Sequence, residues 1–449
     1  MKALQSTVAG LLALIVAGVA PAQSTSSTEP RRNAATVCEW TREVAPDSVR
    51  SPVQMDIHAA YRIFVFKSDG TIGYRIHSDF PFAAFLSYTI YDGPLVHAAL
   101  IDHAIEPDAG STNPFRPGEP VHASDRAYTI TVLPAGAEPA ESMPNLIVMP
   151  PLRRPSKVAT VMLVQRIYLP EPGEDRYGGF PAPTIEPFLV SDPTTAAACP
   201  GDGEFDDIAA LFGNVSSHFS QAPLPRDGRI RFYRPPVADV PFADGDGFQD
   251  KHDCTGYLMA TVFPDRLAVI RLPKVPAFFD NSAIESTTRF VPPEGVRYLS
   301  LGSYGATIMG VLENENIAGP EVRTLPDGSA TFVAIPVGLS LTEAIAVINK
   351  AEDLRYNVLP LANYGPLIPD GEGTQINPFL IYRNKVATEG FAGNIKNVAC
   401  FQGTSFSHAP WMYAASPANM GEYAPIGVEC SVDDFVHGSC GQEFDEARR

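Results

Sequence analysis

Phe85–Gly93, FLSYTIYDG, returns later in the chain as Tyr298–Gly305, YLSLGSYG, and the reading of this echo decides the fold. Phe85-Leu86-Ser87 with Tyr91 answers Tyr298-Leu299-Ser300 with Tyr304, at an offset of 213. Two further blocks recur in the same order. Asp125–Gly136, DRAYTITVLPAG, answers Asp327–Gly338, DGSATFVAIPVG, and Leu163-Val164-Gln165-Arg166 answers Leu380-Ile381-Tyr382-Arg383. Their offsets, 202 and 217, differ only as loop lengths drift between two copies of one domain.

The repeated blocks alternate aromatic or β-branched residues with small polar ones, the pattern of half-buried strands. Arg62–Phe66 and Gly73–His77, joined by Lys67-Ser68-Asp69-Gly70, read as a hairpin, which Tyr257–Phe263 and Arg266–Leu272 mirror. A chain of 449 residues is too long for one ordinary core, and 43 prolines with 35 glycines leave no room for long helices. The expected fold is therefore mainly β: two tandem, related antiparallel β-sandwiches, jelly-roll-like, with few short helices. One helix is expected at Leu341–Glu352, capped by Thr342 and burying Ile345, Ile348 and Ala351.

Around these copies the chain divides into residues 1–22 as a signal peptide, 23–55 as an N-terminal segment and 56–190 as the first sandwich. Residues 191–250 form a linker or insertion, 251–389 the second sandwich, and 390–449 an irregular, aromatic, cysteine-containing cover. Lys2, the apolar run Val8–Val19 and Ala20-Pro21-Ala22 supply the three parts of a secretory signal. No later stretch approaches the length of a membrane span. The expected location is thus secreted. Six cysteines then suit disulfides, with Cys199–Cys254 and Cys430–Cys440 as expected pairings. Asn214-Val215-Ser216 is a glycosylation sequon if the export route is eukaryotic. A net charge of −18 argues against nucleic acid and anionic membrane as partners. Oligomeric state is left open.

RLPKVPAFFD at Arg271–Asp280, RYLS at Arg297–Ser300 and MGEYAP at Met420–Pro425 resemble segments of a group of uncharacterised secreted proteins with R-Y-W-S and M-G-x-Y-x-P motifs. Phe85–Ile105 and Val161–Pro170 look similar to β-sandwich domains of unknown function in bacterial envelope proteins. The chain departs from both groups in carrying Leu86 and Leu299 where they often have Trp. The resemblance implies the tandem sandwich fold and carries no catalytic residue across.

Three places could hold chemistry. His97, Asp102, His103 and Glu106 form the densest ionisable cluster; on one strand, His97 and His103 would share a face and serve as acid, base or metal ligands. Asp244, Asp246 and Asp250 are spaced as in a calcium loop but lack its distal Glu, so a divalent cation is the one cofactor suggested. His408, Trp411 and Tyr413 could stack on a sugar or aromatic ligand. The first expectation is a binding protein that takes a glycan or small apolar or aromatic molecule in the cleft between sandwiches. An extracellular hydrolase, lyase or isomerase using His and carboxylate chemistry is the alternative, and a structural envelope or matrix component the third.

Overall fold

The computed structural model describes residues 36–44, 56–92, 95–138, 143, 145–149, 159–200, 227–234, 257–278, 295–307, 310–336, 338–361, 378–399 and 414–440. The signal stretch, Asn214, Asp244, Asp246, Asp250, Cys254, Cys400, His408, Trp411 and Tyr413 lie outside the described residues. Thr36–Arg449 form one unit.

In chain order the first half carries β1 (Arg42–Val44), β2 (Ala59–Ser68), β3 (Ile72–Asp79), β4 (Ala83–Asp92), β5 (Leu95–Ile101), β6 (Ala127–Leu133), β7 (Leu146–Val148), β8 (Ala159–Pro170), β9 (Thr184–Leu189) and β10 (Asp192–Ala196). They form two sheets, ordered β1-β2-β8-β4-β5 and β10-β9-β3-β6-β7. Phe64, Phe66, Tyr74, Ile76, Leu86, Tyr88, Ile130 and Leu163, from both sheets, share one buried core. That shared core makes the pair a sandwich.

The second half carries β11 (Arg229–Ile230), β12 (Leu258–Thr261), β13 (Leu267–Leu272), β14 (Ala277–Phe278), β15 (Gly295–Thr307), β16 (Gly310–Ala318), β17 (Ala330–Ile335), β18 (Asn357–Pro360), β19 (Phe379–Ala387) and β20 (Ile426–Cys430). Its sheets are ordered β11-β20-β13-β17-β18 and β12-β19-β15-β14, with β16 also paired to β15. The run β12-β19-β15-β16 thus reproduces β2-β8-β4-β5, and β13-β17-β18 reproduces β3-β6-β7. Both copies of the signature strand even carry a bulge at the same place, after Ile90 and after Ser303. The echo in the sequence is a doubled fold.

Several expectations are corrected. The segments read as hairpins are corners: β2 and β3 belong to opposite sheets, as do β12 and β13. The Lys67–Gly70 turn therefore carries the chain across the core instead of back along its neighbour. Three of the four sheets are mixed, because β6–β7, β14–β15 and β17–β18 run parallel. A parallel pair needs a crossover. Between β17 and β18 that crossover contains α1 (Leu341–Asp353). Its cap is Ser340, whose side chain accepts from the Glu343 N–H, and not Thr342. Val347 and Ala351 are its buried residues, while Ile345 and Ile348 face outward at 48% and 41% exposure.

Nor is the C-terminal region only a cover. Beside α2 (Pro417–Met420) and α3 (Val432–His437), it supplies β20, paired with both β11 and β13. Phe391, Ile395, Met420 and Tyr423 enter the second core. Cys199 bonds to Cys38, with Cα atoms 5.6 Å apart, and not to Cys254; this clips the N-terminal segment onto the first sandwich. Cys430–Cys440 forms as expected and fastens α3 to β20. Among the described residues no helix is long and apolar enough to cross a membrane.

Candidate functional site in the seam between the sandwiches

β2 is buried along nearly its whole length, although alternation would bury only half of it. The reason lies on its second face. Tyr61, Ile63 and Val65 of β2, Phe85 and Tyr91 of β4, and Met162, Val164 and Tyr168 of β8 pack into a separate apolar cluster with Tyr298 and Ala318 of the second sandwich. The two sandwiches therefore meet through the repeated strands themselves. Equivalent residues of the copies, Phe85 and Tyr298, Arg166 and Arg383, Tyr168 and Lys385, are gathered in one seam.

Alternation along the strands fixes which side chains reach it. Arg166 and Tyr168 on β8, and Arg383 and Lys385 on β19, are each two apart and share a face. The Tyr168 ring stands edge-on to Tyr298 at 4.9 Å and to Phe85 at 5.4 Å. Lys385 Nζ lies over the same ring, 5.5 Å from its centre. One tyrosine of the first sandwich thus receives an aromatic and a cationic side chain from the second.

At the floor of the seam is Asp56, fully buried. Its Oδ2 accepts from the Tyr298 hydroxyl at 2.5 Å and from the Ser300 hydroxyl at 3.1 Å, and lies 3.5 Å from Arg383 Nη1. Tyr61 accepts from the Asp56 backbone N–H at 3.1 Å, and its hydroxyl is 3.3 Å from that of Tyr168. Each arginine is seated in the same manner. Arg166 donates to Thr89 Oγ1 at 2.7 Å and to the Tyr91 hydroxyl, and Arg383 donates to the Tyr304 hydroxyl at 2.5 Å. Tyr61 and Tyr257 lie under the two guanidiniums at 5.8 and 5.9 Å.

Arg166, Arg383 and Lys385 gather near Asp56, while Asp102 with Arg297 at 2.6 Å and Glu321 with His58 at 3.1 Å also pair across the sandwiches. Burial, then the guanidiniums of Arg383 and Arg166, hold the Lys385 amine down to about 7, with Asp56 opposing them. Burial likewise pushes the Tyr61 and Tyr298 hydroxyls well above their usual range and raises Tyr168, so all three keep their protons at neutral pH. Asp56, Tyr298 and Arg383 are closed off from water, whereas Arg166 and Lys385 are only half-buried. Arg166 and Lys385 thus stand nearest to solvent in this group.

Asp102 plays a different part from the one its sequence suggested. It opens a 3₁₀ turn at Asp102–Ala104, and its side chain is fully buried. Oδ2 accepts from the Leu86 N–H at 2.8 Å, while Oδ1 accepts from the His103 N–H at 2.6 Å and from Arg297 Nη1 at 2.6 Å. Burial pushes its carboxyl up, but Arg297 and these bonds outweigh burial and leave it lowered. A carboxylate so enclosed ties the sandwiches together. His97 lies on β5, which ends at Ile101, so the strand alternation expected to align His97 with His103 does not extend to His103. Glu106 is exposed and paired with Arg116 at 2.7 Å. No cluster of three or more His, Cys, Asp or Glu suited to a metal occurs among the described residues.

The seam residues carried a signal that strand grammar concealed. Arg166 and Arg383 stand in the repeated L-x-x-R block, charged residues recurring in otherwise apolar strands.

No family model matches the chain, and no curated protein does. Solved structures that align with it include two bacterial proteins. An uncharacterised protein from Burkholderia cenocepacia matches at 12% identity over 87% of this chain and 81% of its own, with a TM-score of 0.41. A protein from Vibrio parahaemolyticus matches at 10% identity over 74% of this chain and 85% of its own, with a TM-score of 0.31.

Proposed function

We propose that the protein is an exported binding protein that takes a small carboxylate-bearing molecule, aromatic or derived from a glycan, beside Arg166 and Lys385 in the seam. The observation that carries this reading is the convergence of Arg166, Arg383 and Lys385 at one place in the seam, with Arg166 and Lys385 only half-buried. A seam made only to glue two sandwiches gains at least as much from apolar side chains, since buried charge is costly to desolvate. A ligand carboxylate beside Arg166 and Lys385 engages them through charge-assisted hydrogen bonds. Export is supported by the signal-like start of the chain and by Cys38–Cys199 and Cys430–Cys440.

Calorimetric titration of the mature chain with 3-phenylpropionate, glucuronate and a neutral oligosaccharide tests this reading. The carboxylates are expected to bind, with affinity reduced about tenfold or more in Arg166→Gln and in Lys385→Gln, the loss of one charged hydrogen bond. Binding of the neutral sugar alone, or of nothing, overturns it.

A further inference from the structure

A second group of half-exposed aromatic side chains stands on the first sandwich, and none of it belongs to the cluster that joins the two sandwiches. Phe82 occupies the corner between β3 and β4, and Phe180 lies in the connection from β8 to β9. Backbone bonds tie these places together. The Phe82 N–H donates to the Gly178 carbonyl at 3.0 Å, and the Glu171 N–H donates to the Phe82 carbonyl at 2.8 Å. The two ring centres are 5.4 Å apart, with planes 24° from parallel. The Arg126 guanidinium, 3.9 Å from the centre of Phe82 and 5.5 Å from that of Phe180, completes a triangle that sets the rings side by side with the cation under both. Each ring thus turns its other face away from Arg126. Arg126 itself is shut away from water, and its Nε and Nη1 have no hydrogen-bond partner among the described residues. Desolvating a guanidinium is costly, and the contact it gains here is with the two rings. The rim is polar. A side-chain carbon on Gly179 would collide with Glu174 Oε2 and meet Phe82 Cδ2 at 3.6 Å, so this exposed carboxylate borders the Phe82 ring. His122, 58% exposed, stands 5.8 Å from the same ring.

We propose that Phe82 and Phe180 form a shelf for one neutral pyranose unit of a glycan, whose C–H face lies on the two rings while its hydroxyls donate to Glu174. This site goes beyond the seam and does not rest on it. Two phenyl rings held side by side from beneath offer apolar contact on one face only. A carboxylate accepts hydrogen bonds and gives none, so Glu174 selects a ligand with hydroxyl donors at the edge of an apolar face. A pyranose carries both. A plain aromatic ring brings no donor to Glu174, and an acidic sugar brings it a like charge. His122, which can donate or accept, serves a further hydroxyl at the rim.

The test is calorimetric titration of the mature chain with cellohexaose, maltohexaose, xylohexaose and mannohexaose. At least one is expected to bind. Phe82→Ala and Phe180→Ala should each weaken that binding about tenfold, the worth of one aromatic contact. Phe82→Trp, which keeps a ring in place, should retain it, and Glu174→Gln should lower it severalfold. Arg166→Gln and Lys385→Gln should leave it unchanged, which separates the shelf from the seam. Binding that survives both alanine variants, or that is lost in Arg166→Gln, overturns the proposal. Silence from all four sugars overturns it too, while carboxylate binding in the seam stands or falls on its own titration. Should a phenylalanine variant fail to fold, Glu174→Gln, on an exposed side chain, decides: unchanged affinity there overturns the proposal.

Discussion

Asp102 of the first sandwich accepts a hydrogen bond from Arg297 of the second at 2.6 Å, with both side chains shut away from water. A residue that reads as a candidate catalytic acid is thereby a tie between domains. Removing one member leaves the other charged and buried. Asp102→Ala or Arg297→Met should each cost about 3–5 kcal/mol, and the pair replaced together by apolar residues should cost less than the two single losses combined. Urea unfolding of the three variants measures it.

The same carboxylate dictates how the protein responds to acid. Its folded pKa lies below the unfolded value of about 3.9, so its contribution is complete above that value and is lost as pH falls through the folded pKa. Melting curves taken below about pH 4 should fall less steeply in Asp102→Asn than in the unmodified chain.

Lys385 acts in the opposite window. Unfolded, its amine holds a proton up to about pH 10.4. Folded, it releases it near 7. Between those values the unfolded chain binds more protons, so this residue makes stability rise with pH. Lys385→Met should abolish that rise and should melt a few degrees higher than the unmodified chain near pH 6, on the order expected for removing one unfavourable buried charge. Scanning calorimetry from pH 6 to 9 decides it; an unchanged slope would place the amine in open solvent.

His103 and Glu106 lie outside the seam, exposed around a 3₁₀ turn. His103→Ala and Glu106→Gln should leave carboxylate binding unaltered. A loss of affinity in either, read by the same calorimetric titration, would return the site to the His97–Glu106 stretch.

The helix α1 gives a sharper stability contrast. Val347→Ala empties part of a packed face shared with Val333, Val428 and Phe435 and should cost about 1–3 kcal/mol. Ile348→Ala, on the outward face, should change stability by about 0.5 kcal/mol or less.

This helix also shows what a sequence conveys and what it conceals. Its position and length were legible from period and capping residues, but three isoleucine-like steps could be drawn along two neighbouring faces. Only the sheet beneath chooses between them. The doubling of the fold was legible because three blocks repeat in order, whereas the corner between β2 and β3 was not, since a turn in a hairpin and a turn between sheets use the same residues. Cys199 found Cys38 because the chain after β10 lies beside β9, where the Ala197 N–H donates to the Pro187 carbonyl, and Cys38 bridges to Ile185 of that same strand, a neighbourhood created by topology. The seam was hidden for a similar reason. Arg166 and Lys385 are far apart in the chain, and an arginine in an apolar strand reads as an edge residue until a second sandwich closes over it.

The central claim is that Arg166 and Lys385 in the seam bind an anion, and the Lys385 amine reports on it directly. Nζ-detected NMR of lysine-labelled protein should show one amine, absent in Lys385→Arg, titrating near 7 and moving upward when 3-phenylpropionate is added. An amine that titrates in the ordinary range near 10.4 and ignores the carboxylate would contradict the account.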